Sequence, residues 1–138
     1  MSDSVLLREA TVQEIQLELI RRMQYNAFDG EQVFASLMKH RDLWQAVLLD
    51  RQGALNYQKP GHLQMGGLIK LRDLDGNFWN VDELFILTTK REHAIELARI
   101  IKEEDWGGQL IVYDDQEQID SALGGSSREH GLLSIWWD

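Results

Sequence analysis

The chain of 138 residues contains no cysteine and only one proline. Without cysteine the protein has no disulfide, no thiolate zinc site and no cysteine nucleophile, and this composition fits a reducing compartment. Nowhere do 18 apolar residues follow one another, so we expect no segment that spans a membrane. The N-terminal stretch "MSDSVLLREATVQE" lacks the basic and apolar regions of a secretory signal. We therefore expect a cytoplasmic protein.

Motifs of the common enzyme classes are also absent. No glycine pair precedes Lys-Ser or Lys-Thr, which excludes a P-loop, and no G-x-S-x-G sequence presents a serine nucleophile. The histidines follow no zinc-binding spacing; they are His40, His62, His93 and His130. Basic residues do not cluster with aromatic ones, which argues against binding to nucleic acid. The sequence offers no catalytic residues and favours a protein that is not an enzyme.

The overall composition is that of a folded protein. Hydrophobic residues make up 43% and charged residues 27% of the chain, both near the averages of globular proteins. A chain of this length suits one domain with a sizeable core, and no repeat or low-complexity stretch divides it. We therefore expect residues 1–138 to form a single globular domain.

The N-terminal part of the chain carries signals for two amphipathic helices. Thr11 and Glu14 match a capping box, in which each side chain bonds the backbone N–H of the other residue. Apolar residues then recur at helical spacing. Asp29 is the expected N-cap of the second helix, with Gln32 three residues later. Two short helices should thus open the fold.

The middle of the chain changes to strand and turn patterns. Residues 43–50 are typical of a strand, and residues 55–58 suit a return strand. The only proline and three glycines fall in residues 59–67, which predicts a loop. In residues 68–81, Asp75-Gly76 between apolar stretches predicts a β-hairpin.

The C-terminal half alternates strands with helices. Two apolar runs, residues 84–87 and 110–113, suit buried strands, and the helix between them has Thr89 and Glu92 as a capping box. A shorter helix and a last strand, residues 132–137, complete the chain. Strand, helix and strand of these lengths form a βαβ unit with a right-handed crossover. The predicted fold is α+β or α/β: two N-terminal helices packed on a mixed β-sheet with a C-terminal βαβ(α)β arrangement.

Negative charge is concentrated near the C-terminus. Residues 1–101 hold 14 acidic and 12 basic side chains, whereas residues 102–138 hold 9 acidic and 2 basic ones, a balance of −7 out of a total of −9. Such a region repels nucleic-acid phosphates and attracts basic surfaces. Alternatively, it is a solvated surface that serves solubility alone.

Two adjacent aspartates follow the second buried strand and have two interpretations. Asp115 with Gln118 matches a helix N-cap and its partner, which needs no ligand. Alternatively, Asp114 and Asp115 bind Mg²⁺, with Thr88 and Lys90 from the preceding strand end, and the protein is a small phosphoryl-ligand enzyme or sensor. The capping interpretation is favoured because no third acidic strand end supports the metal.

Five tryptophans are a high count for this length. Trp44 and Trp79 are expected in the core, whereas Trp106, beside three acids and two glycines, is expected at the surface. We expect a non-catalytic interaction module, an adaptor or immunity-type inhibitor, that presents an acidic face to a basic protein partner. The expected face consists of Glu103, Glu104, Asp105, Trp106, Asp114, Asp115, Glu117 and Asp120.

Self-association is a further possibility that the sequence leaves open. The last strand is apolar on both faces, because Leu132 and Trp136 point one way while Ile135 and Trp137 point the other. Helices on both sides of the sheet would bury both faces. Otherwise an exposed tryptophan marks an interface, and a homodimer forms through this strand or through an edge strand.

Overall fold

The structure is a computed structural model that describes residues 5–25, 27–50, 69–125 and 129–137. Its α-helices are α1 (Val12–Arg22), α2 (Gly30–Lys39), α3 (Ile69–Leu74), α4 (Arg91–Glu103) and α5 (Gln116–Ala122). Its strands are β1 (Gln24–Tyr25), β2 (Phe28–Asp29), β3 (Ala46–Asp50), β4 (Glu83–Thr88), β5 (Gln109–Tyr113) and β6 (Gly131–Trp136). Short 3₁₀ turns occupy Leu7–Glu9 and Arg41–Leu43.

The two N-terminal helices begin where their capping signals predict. The backbone N–H of Glu14 donates to Thr11 Oγ1 at 3.1 Å, and the N–H of Thr11 donates to Glu14 Oε1 at 2.9 Å. Asp29 accepts the N–H of Gln32. These bonds satisfy backbone donors that have no partner inside the helix. The predicted starts of α1 and α2 are therefore confirmed.

The main sheet has the strand order β3-β4-β6-β5, and every neighbouring pair is antiparallel. The α+β class is confirmed, but the expected mixed sheet is an antiparallel one. The strands β4 and β5 do run parallel to each other on either side of α4, as in a βαβ unit. However, β6 inserts between them and runs the opposite way. The strands β1 and β2 form a separate two-stranded ribbon.

The core lies on one face of the main sheet. Helices α1 and α4 pack against this face, and α2 packs against α1. The sheet residues on this face are fully or almost fully buried: Val47, Leu49, Leu84, Ile86, Leu133 and Ile135. Each such side chain contributes about 1.5–3 kcal/mol by leaving water. The alternation of side chains along the strands places their neighbours on the other face.

That other face, which we call the outer face, is only partly covered. Helix α5 packs against it through Ile119, which is fully buried. Leu48 and Ile111 remain 44% and 50% exposed. Trp136, the last residue of β6, is half-buried on the outer face and donates its indole N–H to Asp82, whereas Trp137, which follows the strand, is buried in the core.

Residues 69–81 differ from the hairpin predicted there. They form α3 followed by a turn at Asp75–Asn77, where Asn77 takes a left-handed conformation with φ of 60°. The Asp75-Gly76 signal thus marks a turn after a helix, because the apolar residues before it have helical spacing. The predicted return strand, residues 55–58, and the predicted loop, residues 59–67, lie outside the described residues.

Trp44 and Trp79 contribute to the core from irregular segments. Trp44 is 3% exposed and its indole N–H donates to Leu37 O at 2.8 Å. Trp79 is partly buried against the core.

Among the described residues, no helix is both long and apolar enough to cross a membrane.

Candidate functional site

The acidic residues expected to form one face lie at the two ends of β5. Glu103, Glu104 and Asp105 precede the strand, where α4 ends, and we call them the α4-end cluster. The α5 cluster follows the strand and consists of Asp114, Asp115, Glu117 and Asp120. The four residue steps of β5 separate the clusters by at least ~13 Å, at ~3.3 Å per step. The sequence-predicted face is thus two clusters with a strand between them.

The α4-end cluster is tied to neighbouring helices. Glu104 accepts a hydrogen bond from Ser36 Oγ at 2.7 Å, and its other carboxylate oxygen lies 2.9 Å from His40 Nε2. The bond from Ser36, followed by that from His40, lowers the pKa of Glu104. Arg99 donates to Glu103 at 2.6 Å. Asp105 is exposed, so it is the residue of this cluster best placed to meet a partner.

Trp106 is buried, so the expectation that it lies at the surface is wrong. It is 1% exposed, and its carbonyl oxygen accepts the indole N–H of Trp137 at 3.0 Å. The chain reverses here through left-handed residues, Asp105 at φ of 53° and Gly107 at φ of 77°. At Gly108 a Cβ would lie only 2.9 Å from Ile135 Cγ2. This close turn folds the tryptophan under the start of β5.

The α5 cluster has one capping carboxylate and several at the surface. Asp115 Oδ1 accepts the backbone N–H groups of Glu117 at 3.0 Å and Gln118 at 3.4 Å, so its predicted capping role is confirmed. Asp114 and Glu117 are exposed, and Asp120 accepts a hydrogen bond from Gln116. This end of β5 therefore presents several carboxylates to solvent.

The geometry does not assemble the alternative Mg²⁺ site. The Thr88 side chain is fully buried, and its hydroxyl donates to Lys90 O at 2.6 Å, so it does not face a ligand at the surface. The Asp115 carboxylate is engaged by the helix that it caps. In the described ranges, no three His, Cys, Asp or Glu side chains are grouped so as to hold a metal ion.

Helix α4 starts later than its capping signal predicts. Its N-cap is Lys90, which makes no side-chain capping bond, so the capping box of Thr89 and Glu92 is wrong. The Thr88 hydroxyl donates to Lys90 O in this turn, and the first helical residue is Arg91. A surface cavity of about 870 Å³ lies at the start of α4. It brings two bases and two acids together: Lys90, Arg91, Glu92 and Glu129. These charges balance, so they do not select an anion.

Among the described strands, β3 forms one edge of the main sheet, and side chains of α1 close this edge. Gln13 Nε2 donates to Val47 O at 3.0 Å, and Gln13 Oε1 accepts the N–H of Val47 at 2.8 Å. Gln16 Oε1 accepts the N–H of Leu49 at 3.1 Å. The two amides occupy three of the backbone groups that another strand would use. A partner chain therefore cannot pair with β3 without displacing them.

The opposite edge, β5, is open in the part of the chain that the structure describes. Its one strand neighbour there is β6, with five consecutive residue pairs and no bulge. Ile111 and Val112 are 50% and 37% exposed.

The pairing pattern shows which backbone groups of β5 face outward. In an antiparallel ladder, successive residues bond alternately to the two sides. Val47 and Leu49 face away from β4, as their bonds to the glutamines show. The residue pairs between β3 and β4, β4 and β6, and β6 and β5 extend this alternation across the whole sheet. As a result, the N–H and C=O groups of Leu110 and Val112 are directed away from the sheet.

Sequence reasoning missed the residues that distinguish the two edges. Gln13 and Gln16 are ordinary polar residues of an amphipathic helix, and only their contacts reveal that they close β3. Residues 110–113 were expected to be buried on both faces, because an apolar run does not tell an edge strand from a central one.

No protein-family model, curated protein or solved structure matches this chain.

Proposed function

We propose that the protein is a non-catalytic interaction module that binds an extended, basic segment of a partner protein by adding it as a strand to β5. The observation that carries this proposal is the difference between the two sheet edges. Gln13 and Gln16 close β3, whereas no described strand pairs with the outward backbone groups of β5, and the apolar side chains Ile111 and Val112 are exposed. Edge strands that do not serve binding are commonly protected by charge, proline, a bulge or a covering element.

Strand addition supplies both affinity and specificity. An incoming segment would bond the N–H and C=O groups of Leu110 and Val112, and its side chains would contact the exposed Ile111. Because these backbone bonds are the same for any extended chain, selectivity has to come from side chains. The centre of β5 selects apolar residues.

The ends of β5 select positive charge. From residue 103 to residue 125 the chain has seven acidic side chains and no lysine or arginine. Asp105 at one end and Asp114 at the other are both exposed. A segment with lysine or arginine on either side of a short β-branched centre complements this arrangement, whereas nucleic-acid phosphates do not. The acidic field also accelerates association with basic partners at low salt.

The proposal includes a cytoplasmic location. Its support is the absence of cysteine from the whole chain, which fits a reducing compartment.

The first experiment uses a synthetic peptide, KKTVTVTKK, as the probe. Titration into ¹⁵N-labelled protein should shift the amide signals of Leu110 and Val112 and protect both amides from hydrogen exchange. The affinity should fall steeply between 20 and 300 mM NaCl, because exposed charges are screened within ~10 Å at 0.1 M. The peptide KKTVPVTKK has the same charge but cannot form a continuous strand, and it should bind more weakly.

Variants separate the charge contribution from the strand contribution. At protein concentrations where the variant is monomeric, Asp105→Asn with Asp114→Asn should weaken KKTVTVTKK binding about fivefold, as expected for two exposed ion pairs of ~0.5 kcal/mol each. Asp42→Asn with Glu9→Gln removes the same charge elsewhere on the surface and should change the affinity little. Equal binding of both peptides, without protection of the β5 amides, would contradict the proposal.

A further inference from the structure

The outer face of the sheet contains a groove beneath α5. Its volume is about 400 Å³, within the ~300–1,000 Å³ range of small-molecule sites. Most of its lining is apolar: Leu48, Phe85 and Leu132 from the sheet, and Ile119, Ala122 and Leu123 from the α5 side. Leu48 is 44% exposed, so the groove is accessible from solvent. This shape suits a molecule with an apolar body.

A chain of polar side chains runs under the apolar lining. Tyr113, which lines the groove, has its hydroxyl 3.0 Å from Ser134 Oγ. Ser134 in turn hydrogen-bonds the carboxyl group of Glu83, and these two residues are 1% and 4% exposed. Buried polar groups on a sheet face are costly unless they are bonded. This chain reaches the groove at Tyr113, whose hydroxyl can form a further hydrogen bond beside the one with Ser134.

The charges around the groove restrict the occupant. Helix α5, which forms one wall, carries Glu117 and Asp120 and has no basic residue. Asp115 caps the same helix. An anion such as a fatty acid would meet this negative field, and no described residue of the lining is a cation that could offset it. None of the described residues that line the groove is charged, so none of them is a direct partner for a cation either.

We propose that this groove binds a small, neutral, mostly apolar molecule that forms one hydrogen bond with the Tyr113 hydroxyl. The site uses the outer face and α5, whereas the partner segment uses the backbone edge of β5. The two proposals therefore stand or fall separately. A chain that binds both ligands would combine a protein partner with a small effector on adjacent surfaces.

Three related probes test this site: 1-naphthol, naphthalene and 1-naphthoate. They share one ring system and differ in having a hydroxyl group, no polar group or a negative charge. In ¹³C methyl spectra, 1-naphthol should shift the signals of Leu48, Ile119 and Leu132 in a saturable manner. Naphthalene should bind more weakly, and 1-naphthoate should bind weakest of the three. Nuclear Overhauser contacts between naphthol protons and these methyl groups would place the ligand in unmodified protein.

Variants test the polar and apolar parts of the site. Tyr113→Phe keeps the ring and removes the hydroxyl, so it should weaken 1-naphthol binding roughly fivefold, the scale of one neutral hydrogen bond. The same variant should leave naphthalene binding nearly unchanged. Ala122→Trp should fill the groove and abolish the shifts. Ala35→Trp places the same side chain on an exposed position of α2 and should leave them intact.

Either of two results would overturn the proposal. One is the absence of naphthol contacts to these methyl groups at millimolar probe. The other is methyl shifts that depend on protein concentration alone, which would show that a second copy of the chain covers this face. The wild-type contacts decide the matter even if a variant does not fold.

Discussion

At the scale of single residues, Glu83 is an ionisable group that folding buries on the outer face. It is 4% exposed, and burial raises the pKa of its carboxyl group, although the hydrogen bond with Ser134 opposes part of this rise. The folded state thus keeps the proton to a higher pH than the unfolded state, whose pKa is near 4.5. Between these two pKa values the folded protein binds more protons, so stability falls as the pH rises.

Glu83→Gln should therefore stabilise the protein at neutral pH. Glutamine retains hydrogen-bonding groups for Ser134 but never ionises, so the variant avoids the penalty of a buried charge. The free energy of unfolding, measured by urea denaturation from pH 4 to pH 8, should rise relative to wild type across this range. The exposed Glu92→Gln serves as the control and should run parallel to wild type. A constant difference for Glu83→Gln at all pH values would show that its pKa is not raised.

At the scale of elements, the closure of β3 by α1 joins two parts of the fold that are far apart in sequence. Gln13 bonds both backbone groups of Val47, more than 30 residues away, and Gln16 bonds Leu49. These bonds fix the position of α1 along the sheet. They also protect an edge that would otherwise be available for aggregation.

Gln13→Ala should destabilise the protein by about 1–2 kcal/mol. The substitution removes two hydrogen bonds that each contribute about 0.5–1.5 kcal/mol to stability. The better helix propensity of alanine offsets only a few tenths of a kcal/mol of this loss. The decrease should appear as a lower urea midpoint with an unchanged slope. Gln118→Ala is a helix-matched control, because Gln118 is exposed on α5, and it should stay within 0.5 kcal/mol by the usual size of surface effects. If Gln13→Ala leaves the free energy of unfolding unchanged, water replaces the side-chain amide in bonding the backbone of Val47.

The elements that sequence predicts well here are those specified locally. The starts of α1, α2 and α5 follow from a capping residue and its neighbour within three positions, and all three are confirmed. The order of the strands could not be predicted. It depends on β6 inserting between β4 and β5, where β6 also packs against α4, and these contacts join residues far apart in sequence.

In the candidate site, too, features set by neighbouring residues could be predicted from the sequence, whereas features set by long-range contacts could not. The capping role of Asp115 could be predicted from residues 115–118 alone. The burial of Trp106 could not, since it needs the left-handed turn at Asp105 and Gly107 and the contact with Trp137. The exposure of Ile111 could not be predicted either, because it follows from the position of β5 at the edge of the described sheet.

At the scale of the whole molecule, the distribution of charge bears on self-association. The open β5 edge is as suited to a second copy of the chain as to a partner. In an antiparallel arrangement, however, the α4-end cluster of one copy would meet the α5 cluster of the other. A parallel arrangement would bring like clusters side by side. Both place carboxylates against carboxylates, and like charges at such positions are destabilising. Each close pair costs about 1 kcal/mol even in water.

The chain should therefore be monomeric at low salt, and neutral ends on β5 should allow it to dimerise. Asp105→Asn with Asp114→Asn should show a dimer in sedimentation equilibrium at 100 µM protein and 20 mM NaCl, where wild type shows a monomer. Asparagine tolerates the left-handed backbone at position 105, so the change is one of charge. Adding Val112→Pro removes an outward N–H and should return the variant to a monomer. Asp42→Asn with Glu9→Gln should remain monomeric, because neither residue belongs to the acidic clusters at the two ends of β5. A wild-type dimer at low salt would show that the acidic ends do not prevent self-pairing, and the partner proposed for β5 would then be a second copy of this chain.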